Sequence, residues 1–497
     1  MAGNRGTPIR TAVMLGAGDG GRLRPVSHGK PKCLVELLGV TLLERNLHAL
    51  KEAGIQEVVI VVGYRGYAVE GIAEQLNGGG LKVRCVPNPD WRSGNGMSLM
   101  CARAAVNGQR RFLVLMSDHL YGSGTLRDFL PLVPEDGPSH VLVDFAPDAG
   151  VDKDDATYVR LADDRRVCAI GKGLTEAQGV DCGVFAYTQD IFAALEKSLA
   201  AGDSSLTGAN CHLIREHGLR GVPLRVGFWQ DIDTPADYEH ARRKLLAGLV
   251  SPADGLISRH LNRRVSRLLT SWLARTQVTP NQVTAVSFLL GLVGAALFAL
   301  GQPLWAGLSV QLGSISDGVD GELARLKCKL SPRGAFFDSL LDRYADGLIL
   351  LGMGYYAYTL APGWVPVLLT VAAVFGIPLS MGFKDRYQIA FGRSYTSQGD
   401  DGWVRYLLPN RDGRLFVVML GGVTGLILPA LAIVALVSHG VFLGRLWQVG
   451  RRQERSLPEV RTTGPGEAAV RPQLLEQPAA EAAAVAFELP PSPPTLD

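Results

Sequence analysis

Cysteine is scarce in this sequence, and no two cysteines are placed to form a redox or zinc motif. The seven cysteines are odd in number and include no CxxC pair, which argues against a disulfide framework and favours a reducing compartment. An excess of one charge is also missing, and since the net charge is only +3, we expect no nucleic-acid partner. The polar start of the chain leads into the short apolar run Thr11–Leu15, so we expect no signal peptide.

Long apolar runs are absent from the first half of the chain. Short β-branched runs such as Val58–Val62, Phe112–Met116 and Val141–Val143 alternate there with helical stretches. Strands that alternate with helices are typical of a mostly parallel sheet that is covered on both faces. We therefore predict a Rossmann-like α/β domain over residues 1–248.

Long apolar runs become frequent in the second half of the chain. Six of them have lengths near the ~20 residues that span a bilayer, and they cover 283–300, 303–324, 336–359, 363–383, 413–427 and 429–447. We predict an all-α, six-helix transmembrane domain over residues 279–450; the alternative is five spans with one long final helix. Lysines and arginines concentrate in the loops on one side, which predicts a multi-pass inner-membrane protein whose N-terminal domain and C-terminal tail are cytoplasmic.

Two further segments flank the predicted membrane domain. Residues 249–278 combine leucines at helical spacing with interleaved arginines, which predicts an amphipathic juxtamembrane helix on the lipid surface. An ordinary interdomain helix is the alternative for this segment. Residues 451–497 are rich in Ala, Glu and Pro, and we predict a disordered tail there.

A glycine-rich loop follows the first predicted strand. It contains Leu15, Gly16, Ala17, Gly18, Gly20 and Gly21 and leads to Arg22, and Lys32 follows shortly afterwards. Glycines let backbone N–H groups approach phosphates closely, and the basic side chains add positive charge. The combination LGAGxGxRLxP followed by PKxL resembles the sugar-nucleotidyltransferase family, and a dinucleotide-binding site would not explain the arginine and the lysine.

Two carboxylate segments agree with this resemblance. Asp118 follows the predicted strand Phe112–Met116, and Asp231 and Asp233 lie in a DxDTPxD segment. Nucleotidyl transfer needs Mg²⁺ on the triphosphate oxygens, and carboxylates are its usual protein ligands. The resemblance implies that Asp118 and one of Asp231 and Asp233 hold the metal. The second segment can also have a purely structural role as a helix N-terminal cap, and this role is compatible with metal binding.

The resemblance also implies roles for the basic residues of the first half. Arg22 and Lys32 would stabilise the charge that builds on the α-phosphate as pyrophosphate leaves. Lys172 would be a second phosphate-binding lysine, and a solvated loop residue is the alternative. Residues 91–98 occupy the place of the substrate-reading loop but depart from the hexose-specific motif, so we infer no hexose.

The second chemical motif lies in the membrane half. It reads DxxDGxxARx8Gx3Dx3D without a mismatch and consists of Asp317, Asp320, Gly321, Ala324, Arg325, Gly334, Asp338 and Asp342. Helical spacing places the first two aspartates on one helix face and the last two on another. Carboxylates in membrane helices are too costly to keep without a compensating cation. The motif therefore suggests one or two Mg²⁺ or Mn²⁺ ions that hold a diphosphate.

This pattern is the motif of the CDP-alcohol phosphotransferase family. The resemblance implies that Asp317, Asp320 and Asp338 ligate metal. It implies that Asp342 is either a further ligand or the general base on the acceptor hydroxyl. The remaining motif residues are implied to bind the nucleotide, with close helix packing as the alternative for the small ones: Gly321, Ala324, Arg325 and Gly334.

The two resemblances together describe one reaction sequence. A cytidylyltransferase-like domain fused to a CDP-alcohol phosphotransferase resembles the bifunctional inositol-1-phosphate cytidylyltransferases/di-myo-inositol-phosphate-phosphate synthases. This resemblance implies CTP, inositol 1-phosphate and CDP-inositol as ligands, Mg²⁺ or Mn²⁺ in both domains, a lipid bilayer, and a homodimer formed through the membrane domain. We also expect Arg386 or Arg393 to bind the phosphate of the acceptor. The alternative function is activation of another alcohol phosphate and its transfer to a lipid acceptor.

Overall fold

A computed structural model shows an α/β domain followed by a helical region. It describes residues 9–148, 150–249, 257–393, 395, 399–407 and 410–456. Residues 250–256 of the predicted juxtamembrane segment and residues 457–497 of the predicted tail lie outside the described residues.

Within the described residues, nine strands form the main sheet of the α/β domain, and four short strands form two side ladders. The strands in chain order are β1 (Thr11–Gly16), β2 (Glu36–Leu37), β3 (Val40–Thr41), β4 (Glu57–Val62), β5 (Lys82–Pro87), β6 (Arg111–Met116), β7 (His119–Tyr121), β8 (Ser139–Asp144), β9 (Thr157–Leu161), β10 (Val167–Lys172), β11 (Gly179–Thr188), β12 (Leu219–Pro223) and β13 (Trp229–Asp231).

Most strands of the main sheet run in the same direction. The order is β10-β9-β11-β6-β1-β4-β5, with β8 beside β11 and β12 beside β8. Only β10 and β11 oppose the other seven strands. The central strands β1 and β4 are buried almost throughout, because their apolar runs are covered by helices on both faces of the sheet. The α/β domain with a mostly parallel sheet is therefore confirmed.

The pairing register brings the chemical motifs to one edge of the sheet. Because β1 and β6 are adjacent and parallel, their carboxyl ends meet, and Leu15 pairs with Met116. The glycine-rich loop and Asp118 leave the sheet at this edge, where α/β sheets usually bind their ligands. The short β7–β13 ladder then pairs Asp231 with His119, which places Asp231 next to Asp118.

Eight α-helices, counted within the described part of this domain, surround the sheet. They are α1 (Arg24–Ser27), α2 (Leu42–Glu52), α3 (Gly66–Leu76), α4 (Asn95–Cys101), α5 (Thr125–Phe129), α6 (Asp190–Ala200), α7 (Leu206–Glu216) and α8 (Pro235–Ala247). Thr234 caps α8 and forms a capping box with Asp237, and Pro235 occupies the first turn. The DxDTPxD segment thus does start a helix; Asp237 serves the cap, whereas Asp231 and Asp233 precede it at the sheet edge.

The second half of the chain is helical. Its α-helices are α9 (Arg263–Leu273), α10 (Pro280–Ala299), α11 (Pro303–Leu326), α12 (Pro332–Leu360), α13 (Trp364–Phe391), α14 (Arg411–Thr424) and α15 (Ile427–Ser456). A π-helical turn, Ser258–Asn262, precedes α9. The helices α14 and α15 are separated at Gly425, which has a φ of 76°, so the two last apolar runs do not form one long helix.

Three of these helices are long and apolar enough to cross a membrane. They are Pro280–Ala299, Trp364–Phe391 and Ile427–Arg451. The other three predicted spans are less apolar or shorter. The helices α11 and α12 carry the charged motif aspartates, and α14 has only 14 residues. The apolar helices suggest a membrane protein.

Helix α9 is amphipathic, and its polar side faces the protein. Ser266 and Thr270 are completely buried, whereas Leu268 and Trp272 are 74% and 67% exposed. An outward apolar face with an inward polar face is the arrangement of a helix that lies against lipid.

Candidate active sites

Lys32 lies at the centre of the first site. Its side chain is 9% exposed, and its Nζ lies 2.7 Å from Asp118 Oδ2 and 3.6 Å from Asp231 Oδ1. Asp233 also accepts a hydrogen bond from Lys32 and a second one from Arg22. One buried ammonium group therefore holds together the three carboxylates that the sequence singled out.

The approach of the glycine-rich loop to Lys32 depends on a missing side chain. Gly20 has a φ of +60°, and a Cβ atom there would lie 3.0 Å from Cβ of Lys32. Glycine is the residue that tolerates both the left-handed backbone and this close contact.

The surroundings of the site shift the pKa values of its carboxylates in opposite directions. Burial would raise the pKa of Asp118, but the Lys32 ammonium and the bond with His119 hold that pKa well below its usual range. Burial raises the pKa of Asp231 to about 6, and the neighbouring carboxylates of Asp118 and Asp233 add to this effect. Burial would lower the pKa of His119, but Asp231 and Asp118 raise it to about 9. The histidine is therefore a third cation among the carboxylates at neutral pH.

The donor set at this edge fits a divalent cation. Ligand atoms of Asp118, His119 and Asp231 lie within 4.8 Å of one another, and the two carboxylates are the candidate ligands, because a protonated histidine has no lone pair for a metal. Asp231 Oδ1 is buried and accepts no hydrogen bond from any described residue, so it has an unused lone pair directed into the group. Because Asp233 is occupied by Arg22 and Lys32, the geometry favours Asp231 over Asp233 as the partner of Asp118 for Mg²⁺ or Mn²⁺.

A second chain of ion pairs extends from this group along one wall of the pocket. Arg22 Nη2 lies 2.8 Å from Asp155 Oδ2, and Asp155 also accepts a hydrogen bond from Lys172. These two hydrogen bonds lower the pKa of Asp155 to about 2. The sequence left open whether Lys172 binds phosphate or is a solvated loop residue. In the structure Lys172 is the last residue of β10 and belongs to the same ion-pair network as Arg22.

A cavity of about 290 Å³ opens beside these groups. Its lining is largely polar and includes Arg22, Asn95, Asp118, Lys172, Asp181 and Asp231. Cations, carboxylates and amides around one cavity can bind a phosphate ester whose remaining groups are hydroxyls.

The second site is formed by α11 and α12. Carboxylate oxygens of Asp317, Asp320 and Asp338 lie within 4.8 Å of one another. Asp338 Oδ1 is buried and has no hydrogen-bond partner among the described residues, and Thr284 donates to Asp320. Three carboxylates with a buried unused oxygen form an oxygen donor set that fits Mg²⁺ or Mn²⁺.

Asp342, the fourth motif aspartate, is joined to this group through an ion-pair network. Arg411, at the first turn of α14, places Nη1 3.0 Å from Asp342 and 3.1 Å from Asp317. Its Nε lies 2.9 Å from Asp346. One arginine therefore links carboxylates of α11 and α12.

The remaining predicted residues of the second half lie in different surroundings. Arg325 donates to the backbone oxygen of Leu249 at 3.0 Å, so it contacts the residue that directly follows the α/β domain. Gly334 lies in the first turn of α12, where its N–H donates a hydrogen bond to Ser331 Oγ.

Of the two arginines expected to bind the acceptor, Arg393 pairs with Asp400 at 3.1 Å and donates to Tyr387. Arg386 is exposed on α13. Gly321 and Ala324 lie on α11 beside the aspartates.

Comparison with known proteins assigns a family to each half of the chain. Residues 11–248 match the family described as nucleotidyl transferase, and residues 277–395 match the CDP-alcohol phosphatidyltransferase family. The bifunctional IPC transferase and DIPP synthase of Rubrobacter xylanophilus is 36% identical over 430 residues, which cover 83% of this chain and 90% of that protein. The chain belongs to this family of bifunctional enzymes. The protein of the same name from Aquifex aeolicus is 32% identical over 87% of this chain and 96% of its own length.

Other similar proteins match one half of this bifunctional chain. The inositol-1-phosphate CTP transferase from T. maritima covers 50% of this chain and 100% of its own, with 25% identity and a TM-score of 0.43. The archaetidylinositol phosphate synthase of Pyrococcus horikoshii is 26% identical over 37% of this chain and 89% of its own length. This chain is an enzyme with a nucleotidyltransferase domain and a CDP-alcohol phosphotransferase domain.

Several residues of the two sites were missed by the sequence motifs. His119 and Asp155 reach the first site from a short ladder and from a loop, and neither has a periodic pattern. Asp181 looks like an ordinary strand residue of β11. Arg411 fits the positive charge that the sequence predicts for the loops on one side of the membrane, and only the packing of α14 against α11 shows its carboxylate partners. The sequence does hold a weak signal for His119, since it follows Asp118 directly.

Proposed function

We propose that the α/β domain makes CDP-inositol from CTP and inositol 1-phosphate. A phosphate oxygen of inositol 1-phosphate attacks the α-phosphorus of CTP, the bond to the β-phosphate breaks, and pyrophosphate leaves. The observation that carries this proposal is the group of Lys32, Asp118 and Asp231 at the sheet edge, beside a polar cavity.

The residues of the first site divide this work between them. Lys32 and Arg22 bind the phosphate oxygens on which negative charge builds. Asp118 and Asp231 hold Mg²⁺ or Mn²⁺, which neutralises the triphosphate when it is bound. Lys172 binds the phosphate of inositol 1-phosphate, and Asp155 keeps its ammonium beside Arg22.

We further propose that the helical domain transfers phosphoinositol to a second inositol 1-phosphate. The acceptor hydroxyl attacks the inositol-bearing phosphorus of CDP-inositol, the diphosphate bond breaks, and CMP leaves. Asp317, Asp320 and Asp338 hold the cation that neutralises the diphosphate. Asp342 accepts the proton of the acceptor hydroxyl, and Arg411 fixes the position of its carboxylate. The product is di-myo-inositol phosphate phosphate.

The membrane arrangement belongs to this proposal. Six helices, α10 to α15, span the inner membrane, α9 lies on its cytoplasmic surface, and both ends of the chain are cytoplasmic. The domains are residues 1–248, 249–278 and 279–450, and two chains form a homodimer through the last of these. The outward apolar face of α9 and the three strongly apolar helices support this arrangement.

The acceptor phosphate needs cations other than those that bind the diphosphate. Arg386 is exposed at the end of α13, whereas Arg393 is already paired with Asp400. A phosphate that binds Arg393 must displace this carboxylate, and bidentate binding of phosphate by arginine can drive such an exchange.

Activation of another alcohol phosphate with transfer to a lipid acceptor is the second candidate. The archaetidylinositol phosphate synthase that resembles the helical half has a name that joins inositol phosphate to a lipid, which favours a lipid substrate but not another alcohol phosphate. Membranes that contain the full chain should convert CTP and labelled inositol 1-phosphate into pyrophosphate, CDP-inositol, CMP and a water-soluble labelled product. Phosphocholine in place of inositol 1-phosphate is the matched control. Label in the lipid phase, or CDP-choline as the main product, would contradict the proposal.

A further inference from the structure

Glu322 lies inside the aspartate motif at a position where the motif allows any residue (x), yet its side chain is completely buried. Its carboxylate accepts hydrogen bonds from Arg263 Nη1 at 2.6 Å, Ser266 Oγ at 2.8 Å and Thr270 Oγ1 at 2.6 Å. The three donors lie on one face of α9, since their spacing is three and four residues. A single carboxylate of α11 therefore binds two turns of α9.

Arg263 extends this contact to the motif itself. Its Nη1 also donates to the backbone oxygen of Gly318 at 3.0 Å, and Gly318 stands between Asp317 and Asp320. A Cβ atom at Gly318 would lie 3.2 Å from Arg263 Nη1, so glycine leaves room for the guanidinium. We call Arg263, Glu322 and the Gly318 carbonyl the α9 clamp.

The α9 clamp contributes little to the net stability of the fold, but it fixes the orientation of α11. Burial of a charged pair is costly, and replacement of such a pair by apolar residues is often neutral for folding. Charge-assisted hydrogen bonds, in contrast, fix the geometry of the groups they join. The clamp holds α11 at two points, on both sides of Asp320, and so fixes the rotation of the helix that presents Asp317 and Asp320.

We propose that Arg263 and Glu322 are positioning residues for the phosphotransfer step. The α9 clamp sets the rotation of α11 so that Asp317 and Asp320 meet Asp338 of α12 in the metal-binding arrangement. This inference rests on the proposed function of the second site. It makes the metal affinity of that site depend on side chains that touch neither metal nor substrate.

The test uses the full chain with three variants and one control. Glu322→Gln keeps the shape but removes the charge, Arg263→Lys keeps the charge but cannot reach both acceptors, and the double variant Arg263→Met/Glu322→Leu leaves no buried charge unpaired. Ser309→Ala is the control, because its hydroxyl makes another buried contact of α11, to the Leu290 oxygen at 2.8 Å. In the variants that keep Asp118, pyrophosphate release by the first site reports that the chain is intact; in the Asp118→Asn background, the unfolding temperature reports it.

Two measurements read the second site. The first is the Mg²⁺ concentration that gives half-maximal CMP release from supplied CDP-inositol and inositol 1-phosphate. The second is Mn²⁺ binding to the metal-free protein, followed by electron paramagnetic resonance in an Asp118→Asn background. We expect Glu322→Gln and the double variant to weaken metal binding roughly tenfold or more, Arg263→Lys to weaken it less, and Ser309→Ala to leave it unchanged.

Wild-type Mn²⁺ binding in the double variant would overturn the proposal, because the α9 clamp would then be structural only. The same holds if Glu322→Gln lowers the unfolding temperature but leaves the Mg²⁺ requirement unchanged. If Glu322→Gln does not fold, Arg263→Lys and the double variant decide. A wild-type chain that releases no CMP would contradict the proposed function instead, and the Mn²⁺ titration would still decide the role of the clamp.

Discussion

Lys32 is the residue on which the first site depends. Its ammonium lies among Asp118, Asp231 and Asp233, and although burial opposes the charge, these carboxylates hold the pKa of Lys32 above its usual range. Without Lys32 the three carboxylates would repel one another in a partly buried pocket. In the proposed reaction, a metal held by the carboxylates would take over part of their charge, and the same ammonium would then be available to the phosphate oxygens.

Asp181 adds a pH dependence to the stability of the α/β domain. Burial raises the pKa of Asp181 to about 7 in the folded chain, whereas an unfolded aspartate has a pKa of about 3.9. Between about pH 4 and pH 7 the folded state therefore keeps a proton that the unfolded state has released, so the stability falls as the pH rises through this window. Asp181→Asn should remove this loss, and its unfolding temperature should exceed that of the wild type by more at pH 8 than at pH 5.

Thermal unfolding of the detergent-solubilised full chain at the two pH values measures this difference. Asp163→Asn is the control, since Asp163 is exposed and its substitution should change the unfolding temperature little at either pH. An equal effect of Asp181→Asn at both pH values would mean that Asp181 is charged throughout.

At the scale of elements, the motifs of the sequence predict the parts of each site but not all of their assembly. The apolar runs of β1 and β6 predict buried parallel strands, and the Gly-rich loop and Asp118 follow from their ends. The pairing of β7 with β13 has no such signal, because three-residue strands have no measurable period. The motifs therefore leave the choice between Asp231 and Asp233 open, and the register adds only that Asp231 pairs with His119. Likewise, the sequence places Arg411 in a basic loop, whereas the packing of α14 places it against the aspartates of α11 and α12.

The end of α13 carries the prediction about the acceptor. Arg386→Ala or Arg393→Ala should raise the KM for inositol 1-phosphate in CMP release and leave the KM for CDP-inositol nearly unchanged, because only the acceptor phosphate is bound there. Steady-state kinetics with supplied CDP-inositol measure both constants. Arg451→Ala, which removes a cation after the last predicted span, is the control. If both KM values rise equally, or if neither variant has an effect, these arginines serve membrane topology alone.

At the scale of the whole molecule, two enzymes that share one intermediate are joined in one chain. The α/β domain holds Lys32, Asp118 and Asp231, and the helical domain holds its own carboxylates at Asp317, Asp320 and Asp338. The two proposed reactions share CDP-inositol, which the first makes and the second consumes, and inositol 1-phosphate, which both use. Because each domain has its own donor set, loss of one metal site should leave the other reaction intact.

The most direct test compares one substitution in each site of the full chain. Asp118→Asn should abolish CTP-dependent pyrophosphate release and still release CMP from supplied CDP-inositol. Asp338→Asn or Asp342→Asn should release pyrophosphate normally and accumulate CDP-inositol without CMP, and a mixture of the two variant proteins should restore the complete reaction. If a normally folded Asp118→Asn protein also fails to use supplied CDP-inositol, or if Asp338→Asn releases CMP at the wild-type rate, the two-site account is contradicted.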